Sequence, residues 1–250
     1  MTTRDLYHTV MMSEPPVPES ALDAAERDQL FGGVWSRPGL SIRDRRFVTI
    51  VCVSAAVDPA AMDAHVYAAL TSGDLTIEQM NELTLHFAVY CGWPRASQLE
   101  MTVRTQWQRM HDERGEPVPP FRRLGVDDLG TIDPVQRIGE GIKCFQAVNL
   151  IEAPSQDSPY FYAGILNFVF GHLWLRPGLT RRERRLITIP CVAASDAIGP
   201  IWSHVTSALG SGDVSYAEMQ ELTIHFQAYS GTPRARVLQD TAAQWQAAQA

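Results

Sequence analysis

The sequence predicts an all-α protein made of two tandem copies of one helical unit. Three observations carry this. Trp35-Ser-Arg-Pro-Gly-Leu-Ser recurs 139 residues on as Trp174-Leu-Arg-Pro-Gly-Leu-Thr, and the correspondence runs without a gap from Trp35–Leu99 to Trp174–Leu238. A period this long marks a duplicated domain rather than a short solenoid unit. Apolar residues recur at spacings of three and four through each copy, and no period-two alternation bounded by hairpin turns appears. The expected division is 1–116 for the first domain and 117–250 for the second.

Taken in order, Met1–Ser20 holds Glu14-Pro-Pro-Val-Pro and is expected to be an irregular arm. Ala21–Phe31 is expected to form a short helix running into Gly32-Gly33. The repeat then opens on the turn Arg37-Pro38-Gly39. Ser41 with Asp44 three residues on is a capping-box pattern, repeated by Thr180 with Glu183. Phe47, Ile50, Val51, Ser54 and Ala55 line the helix that follows. In the second copy this helix carries Pro190, which should kink it.

Asp58-Pro59 supplies an N-cap and a first-turn proline for a second helix, which carries His65, Ala69 and Leu70 and stops near Gly73. Thr76-x-x-Gln79 and Ser215-x-x-Glu218 open a third, carrying Met80, Leu83, Phe87 and Tyr90 and ending at Gly92-x-Pro94. A fourth runs from about Arg95 to His111. Glu113–Asp133, which holds Pro117, Pro119, Pro120, Gly125 and Gly130, reads as the interdomain linker. Two further helical segments, around Glu140 and over Tyr160–Phe170, precede the second copy, and the first copy has a shortened equivalent.

The chain has 250 residues, a net charge of −7 and a pI near 5.5. A nucleic-acid binder needs a basic face, so that class is excluded. Ordinary apolar content leaves each half able to build a core. Cys52, Cys91, Cys144 and Cys191 form no Cys-x-x-Cys pair and no zinc spacing. They read as buried, inert thiols. No signal-like start and no run long enough to span a bilayer appear, so the expectation is a cytoplasmic protein without membrane contact.

Several polar residues recur in both copies although a helical fold does not require them: Arg37/Arg176, Arg45/Arg184, Arg46/Arg185, His65/His204, Glu82/Glu221, His86/His225 and Tyr90/Tyr229. Glu82, His86 and Tyr90 lie at i, i+4 and i+8, one stripe of a helix, as do Glu221, His225 and Tyr229. A carboxylate one turn from an imidazole can fix its tautomer and free the other ring nitrogen as acid or base. The same stripe also suits a core histidine bonded for stability alone. His65 and His204 lie on the preceding helix; packed antiparallel, they could face the cavity of His86 and His225. The arginines match a carboxylate in a bidentate fork, or a neighbouring acid such as Asp44. No phosphate loop and no His-x-x-x-His metal pair is present.

Trp35-Ser-Arg-Pro-Gly-Leu-Ser-x-Arg-Asp-Arg-Arg, His65 followed by Ala69-Leu70, and Glu82-x-x-x-His86-x-x-x-Tyr90-x-Gly92-x-Pro94-Arg95-Ala96 resemble the carboxymuconolactone decarboxylase family, of alkylhydroperoxidase D-like fold. The second copy matches at Trp174–Leu179, His204 and Glu221–Ala235. The redox branch of that family places a Cys-x-x-Cys pair ahead of the histidine matching His65. Here those positions are Asp58 and Ala61, and Ala197 and Pro200, so dithiol peroxidase chemistry is not expected.

The resemblance implies the decarboxylase branch: a lyase without metal or organic cofactor, acting on a small carboxylated lactone or related ring. It implies Arg45 or Arg46 for anion binding, His65 for the developing oxyanion, and His86, oriented by Glu82, for the proton. Arg184, Arg185, His204, His225 and Glu221 serve the second copy. Trp35, Arg37, Tyr90, Trp174, Arg176 and Tyr229 complete the expected substrate-binding set. The expected partner is a small, anionic substrate, and the expected assembly a homo-oligomer, with three chains supplying the six domains of a family-like hexamer. Two other readings stay open: a divergent cofactor-free enzyme of specialised metabolism that opens, isomerises or cyclises a ring, and a non-catalytic binding or assembly protein.

Overall fold

The computed structural model describes residues 2–120 and 133–249, and in them the chain is helical with no strand. Helices α1 (Thr3–Met11) and α2 (Ala21–Ala25) lead into a π-helix, Glu26–Trp35. The first repeat follows as α3 (Ile42–Ala56), α4 (Pro59–Thr71), α5 (Ile77–Cys91) and α6 (Trp93–Arg114). Helix α7 (Pro134–Asn149), a second π-helix (Tyr160–Phe170) and a short 3₁₀ turn (Leu173–Leu175) enter the second repeat. That repeat comprises α8 (Arg181–Ala194), α9 (Ile198–Gly210), α10 (Tyr216–Ser230) and α11 (Thr232–Ala247).

The caps read from sequence form as expected. Ser41, Thr76, Thr180 and Ser215 each accept from the third backbone N–H of their helix in a closed capping box, and Asp58 caps α4 ahead of Pro59. Helix α8 runs on through Pro190 to Ala194.

Two segments differ from expectation. The arm is not irregular throughout: Thr2 and Asp5 form a capping box for α1. Leu6 and Val10, one turn apart, are buried against Phe31 and Trp35, so tertiary burial stabilises a helix too short to persist alone. Ala21–Phe31 is only partly α-helical; its second half is the wider π-helix. At the linker, α6 continues to Arg114 and Gly115 ends it in the left-handed region at φ 65°. The rest of the expected linker falls largely on residues 121–132, outside the described ones.

The larger difference concerns the cores. Each repeat was expected to bury its own. Instead one apolar cluster holds Phe47, Ile50 and Leu83 of the first repeat together with Ile187, Ile189 and Leu222 of the second. Helix α3 packs on α8 and α10, and α5 packs on α8. The reason lies in α3 and α8. Phe47–Ser54 and Leu186–Ala193 are buried all round, and a helix apolar on every face needs neighbours on every face. The arrangement is a pseudo-twofold one, with equivalent helices crossing at the centre. Arg43 pairs with Glu183 and Arg182 with Asp44 across it.

Residues 2–116 expressed alone would expose the faces of α3 and α5 that α8 and α10 cover. The expected outcome is an aggregated or molten product by near-ultraviolet circular dichroism. A cooperative unfolding transition for that fragment would contradict the shared core.

Candidate active sites at the repeat interface

The crossing of the two repeats brings the recurring polar residues together in two clusters, each built from both copies. Glu221, His225 and Tyr229 of α10 meet Trp35, Arg37, Arg45, Thr49 and His65 of the first repeat. Glu82, His86 and Tyr90 of α5 meet Trp174, Arg176, Arg184, Thr188 and His204 of the second. The expected grouping of His65 with His86 within one copy is therefore corrected. His65 faces Tyr229, with ring centroids 5.8 Å apart, and His204 faces Tyr90 at 5.7 Å. The stripe on one helix was legible, but the helix it faces belongs to the other copy.

The expected pairing of Glu82 with His86 is corrected as well. Glu82 takes a bidentate fork from Arg176, with Nε to Oε2 at 2.9 Å and Nη2 to Oε1 at 2.6 Å, and lies 3.6 Å from Arg184. Glu221 takes the same fork from Arg37 and a 3.4 Å contact from Arg45. Gly39 and Gly178 permit this approach. A Cβ on Gly39 would lie 2.3 Å from Glu221 Cγ, and one on Gly178, whose φ is +97°, 3.1 Å from Glu82 Cγ. The Arg-Pro-Gly turn is thus shaped to admit a carboxylate from the opposite repeat.

The arginines are engaged by protein groups. Arg45 and Arg184 are fully buried and donate to the backbone oxygens of Arg37 and Arg176. Arg46 pairs with Asp74 at 3.1 Å, and Arg185 with Asp213 at 3.2 Å. Arg185 also donates to Ser207 and to the Val148 carbonyl. The first repeat has Ala68 at the position of Ser207, which leaves the buried Nη1 of Arg46 without a partner. Sequence analysis missed Asp74/Asp213 and Thr49/Thr188. All four satisfy the 139-residue correspondence, so identity between the copies could have found them. In each cluster two arginines share one carboxylate, which leaves an excess of positive charge beside the buried Arg45 and Arg184.

Burial and these arginines together set the state of the imidazoles. Arg184 Nη1 lies 3.3 Å from His86 Nδ1, and a guanidinium can only donate. His86 is therefore the Nε2–H tautomer and donates to Thr188 Oγ1 at 2.7 Å. Arg45, His225 and Thr49 repeat the relay at 3.2 and 2.7 Å. Burial first, and then the arginine, hold His86 and His225 well below the usual imidazole range. Burial, reinforced by Arg185, pushes His204 down to about 3, and burial with Arg46 does the same to His65. All four are neutral near pH 7.

Tyr90 accepts from the Trp174 indole at 3.0 Å, yet burial outweighs this bond and raises its pKa. The phenol therefore keeps its proton near pH 7 and can donate it in a hydrogen bond. Tyr229 is held in the same way by Trp35.

A cavity of about 690 Å³ opens at the second cluster, and Tyr90 and His204 form part of its wall. His86 does not line it; it stands behind Tyr90. Another cavity, about 400 Å³, lies between Leu70, Trp107 and Arg114, away from both clusters. The four cysteines are unpaired, and Cys52 and Cys191 are buried. No helix among the described residues is long and apolar enough to cross a membrane.

The profile of one family, the carboxymuconolactone decarboxylase family, matches the chain twice, over residues 21–100 and 159–244. The chain belongs to the carboxymuconolactone decarboxylase family. It is similar to nitrosuccinic acid decarboxylase npaB of Metarhizium robertsii, at 33% identity over 69 residues that cover 28% of this chain and 48% of that protein. It is also similar to 4-carboxymuconolactone decarboxylase of Acinetobacter baylyi, at 35% identity over 69 residues covering 28% of this chain and 51% of that protein. The matches span about half the length of each relative. In this tandem member both copies of the family unit contribute to each cluster.

Two outcomes follow from the clusters. Glu82→Gln removes the carboxylate that Arg176 and Arg184 share, at a site where Arg176 and Glu82 are each 8% exposed. Loss of about 3–5 kcal/mol in urea unfolding is expected, as for breaking a buried pair by removing one partner. A change below about 1 kcal/mol would contradict the role given to Glu82.

The second concerns acid. The four histidines have folded pKa values below their unfolded value near 6.5, so below that pH the unfolded chain binds more protons. Each then removes about 1.4 kcal/mol of stability per pH unit as pH falls from 6.5 toward its folded pKa. Urea midpoints should drop steeply between pH 6.5 and 5 and be flat from 7 to 8. An equally flat profile down to pH 5 would show that the imidazoles titrate normally.

Proposed function

We propose that the protein is a cofactor-independent, decarboxylase-type lyase acting at the cluster that holds Tyr90 and His204. The observation that supports this best is the convergence of two uncharged hydrogen-bond groups, the phenol of Tyr90 and the imidazole of His204, at the wall of a largely apolar cavity. Loss of carbon dioxide from a carboxylate conjugated to a carbonyl breaks one C–C bond. The electron pair moves onto the carbonyl oxygen, giving an enolate, and one proton from solvent completes the product. The demand on the protein is stabilisation of that oxygen as charge develops. Preorganised donors in a low-dielectric site meet this demand, and one such donor typically contributes 10²–10³-fold in rate.

The rest of the cluster holds these donors in place. The Trp174 indole fixes the phenol oxygen of Tyr90, and Arg184 and Thr188 hold His86 stacked against its ring. The surplus positive charge of Arg176 and Arg184 over Glu82 favours an anion nearby without contacting it. This replaces the expected direct grip of Arg184 or Arg185 on the substrate, because both guanidinium groups are committed to the protein. His86 becomes a positioning residue and not the proton donor.

A second reading, a cofactor-free enzyme that opens, isomerises or cyclises a ring, has one observation in its favour: among the described residues, no Asp, Glu, Lys or Arg lines the cavity. The two readings separate by product. Purified protein, without added metal, is incubated with carboxymuconolactone and with 1-hydroxy-2-naphthoate, and carbon dioxide release is followed alongside NMR of the organic product. Release of carbon dioxide that falls 10²–10³-fold in Tyr90→Phe and in His204→Ala supports the lyase. Conversion without carbon dioxide supports the second reading, and turnover unaffected by both substitutions would overturn the assignment of this site.

A further inference from the structure

The cavity beside Tyr90 and His204 has a composition that its counterpart positions in the first repeat lack. Its outer wall is the π-helix Tyr160–Phe170, with Phe161, Ile165, Phe168 and Phe170 on the cavity side and Phe145 of α7 opposite. Phe145 and Phe170 meet edge to face at 4.8 Å, and Phe170 stacks on Trp174 at 5.9 Å. Tyr160 and Trp93 also line the cavity and are 67% and 60% exposed, as rim residues are.

Carried upstream, the 139-residue correspondence sets Phe161, Ile165 and Phe168 against Leu22, Glu26 and Gln29, and Tyr162 against Asp23. Around the same cavity, Ala88 stands against Gln227, Trp93 against Thr232 and Ala197 against Asp58. The histidine, tyrosine, tryptophan and arginine framework is shared by both clusters. The walls are not: one is aromatic, the other acidic and amide-bearing.

We propose that the cavity at Tyr90 and His204 takes a flat, hydrophobic aromatic compound of two or three rings bearing a phenol or ketone oxygen, and that the cluster around His65 does not share this ligand. The inference rests on the placement of the active site given above and extends it to the ligand class. Size, wall and polarity each point the same way. About 690 Å³ is the volume of a drug-sized site and exceeds what a small diacid fills. Aromatic walls favour a ring held by stacked and edge contacts. A ligand body with several charges would be desolvated here without a facing counter-charge, which is costly. The polar oxygen meets the phenol of Tyr90 and the imidazole of His204, both on the cavity wall.

Gly164 offers a clean test. It lines the cavity, and a Cβ added to it meets no atom within 4 Å, so a larger side chain there occupies ligand space and not protein. Binding of 1-naphthol and of 1,8-dihydroxyanthraquinone is followed by quenching of tryptophan fluorescence and by calorimetry, with adipate as the small-diacid competitor. One aromatic molecule per chain is expected, undisturbed by a hundredfold excess of adipate. Gly164→Leu should weaken it at least tenfold, and the equivalent substitution in the first repeat, Ala25→Leu, should leave it unchanged. Phe161→Asp provides a second variant at a position 36% exposed, where folding tolerates the charge, and should also weaken binding at least tenfold.

Two molecules per chain, displacement by adipate, no aromatic binding, or full affinity in both folded variants would overturn the proposal. Binding is read without turnover, so the two claims fail separately. An aromatic ligand that binds but releases no carbon dioxide leaves the ligand class standing and removes the lyase. Turnover of carboxymuconolactone without aromatic binding does the reverse.

Discussion

The structure depends on one reciprocal contact: a carboxylate from each repeat inserted between two arginines of the other. Glu82 reaches Arg176 and Arg184, and Glu221 reaches Arg37 and Arg45. Such buried charges add little net stability when paired and cost several kcal/mol when unpaired. Their effect is to specify how the repeats cross. Any other register would strand two guanidinium groups in an apolar interior. Gly39 and Gly178 complete the contact by leaving room for the carboxylate stems.

From that contact the chemistry of each cluster follows. Two arginines over one carboxylate leave positive charge in the cluster, and burial, reinforced by neighbouring arginines, keeps the imidazoles neutral. A neutral, tautomer-fixed histidine donates to threonine and packs against the tyrosine, whose oxygen is held by a tryptophan indole. The arginines bond to protein groups: Arg45 and Arg184 to a carboxylate, an imidazole and a backbone oxygen each. Fusion of two family units into one chain then allows the two clusters to diverge. The framework is held by the repeat crossing, while the walls, drawn from the preceding π-helices, are free to vary.

Much of this was legible in the sequence. The helical class, the duplication and all seven recurring polar pairs came from a single 139-residue correspondence. The capping boxes at Ser41, Thr76, Thr180 and Ser215 form where Ser or Thr precedes Asp, Glu or Gln by three residues. Such features depend on neighbours within one turn, so local sequence contains them. The same correspondence, applied to small and hydroxyl-bearing residues, contained Thr49/Thr188 and Asp74/Asp213, and carried upstream it contained the contrast between Phe168 and Gln29.

Sequence by itself determined the helices, their caps, the repeat and which polar residues recur. Only the tertiary structure decided their partners: that Glu82 belongs to Arg176 and not to His86, that His65 faces Tyr229 and not His86, and that the two repeats bury one core. The physical reason is that helical periodicity gives the face on which a side chain lies but not the helix opposite that face. Two near-identical repeats offer near-identical alternatives within and between copies, and burial of α3 and α8 on all sides selects the crossing between them.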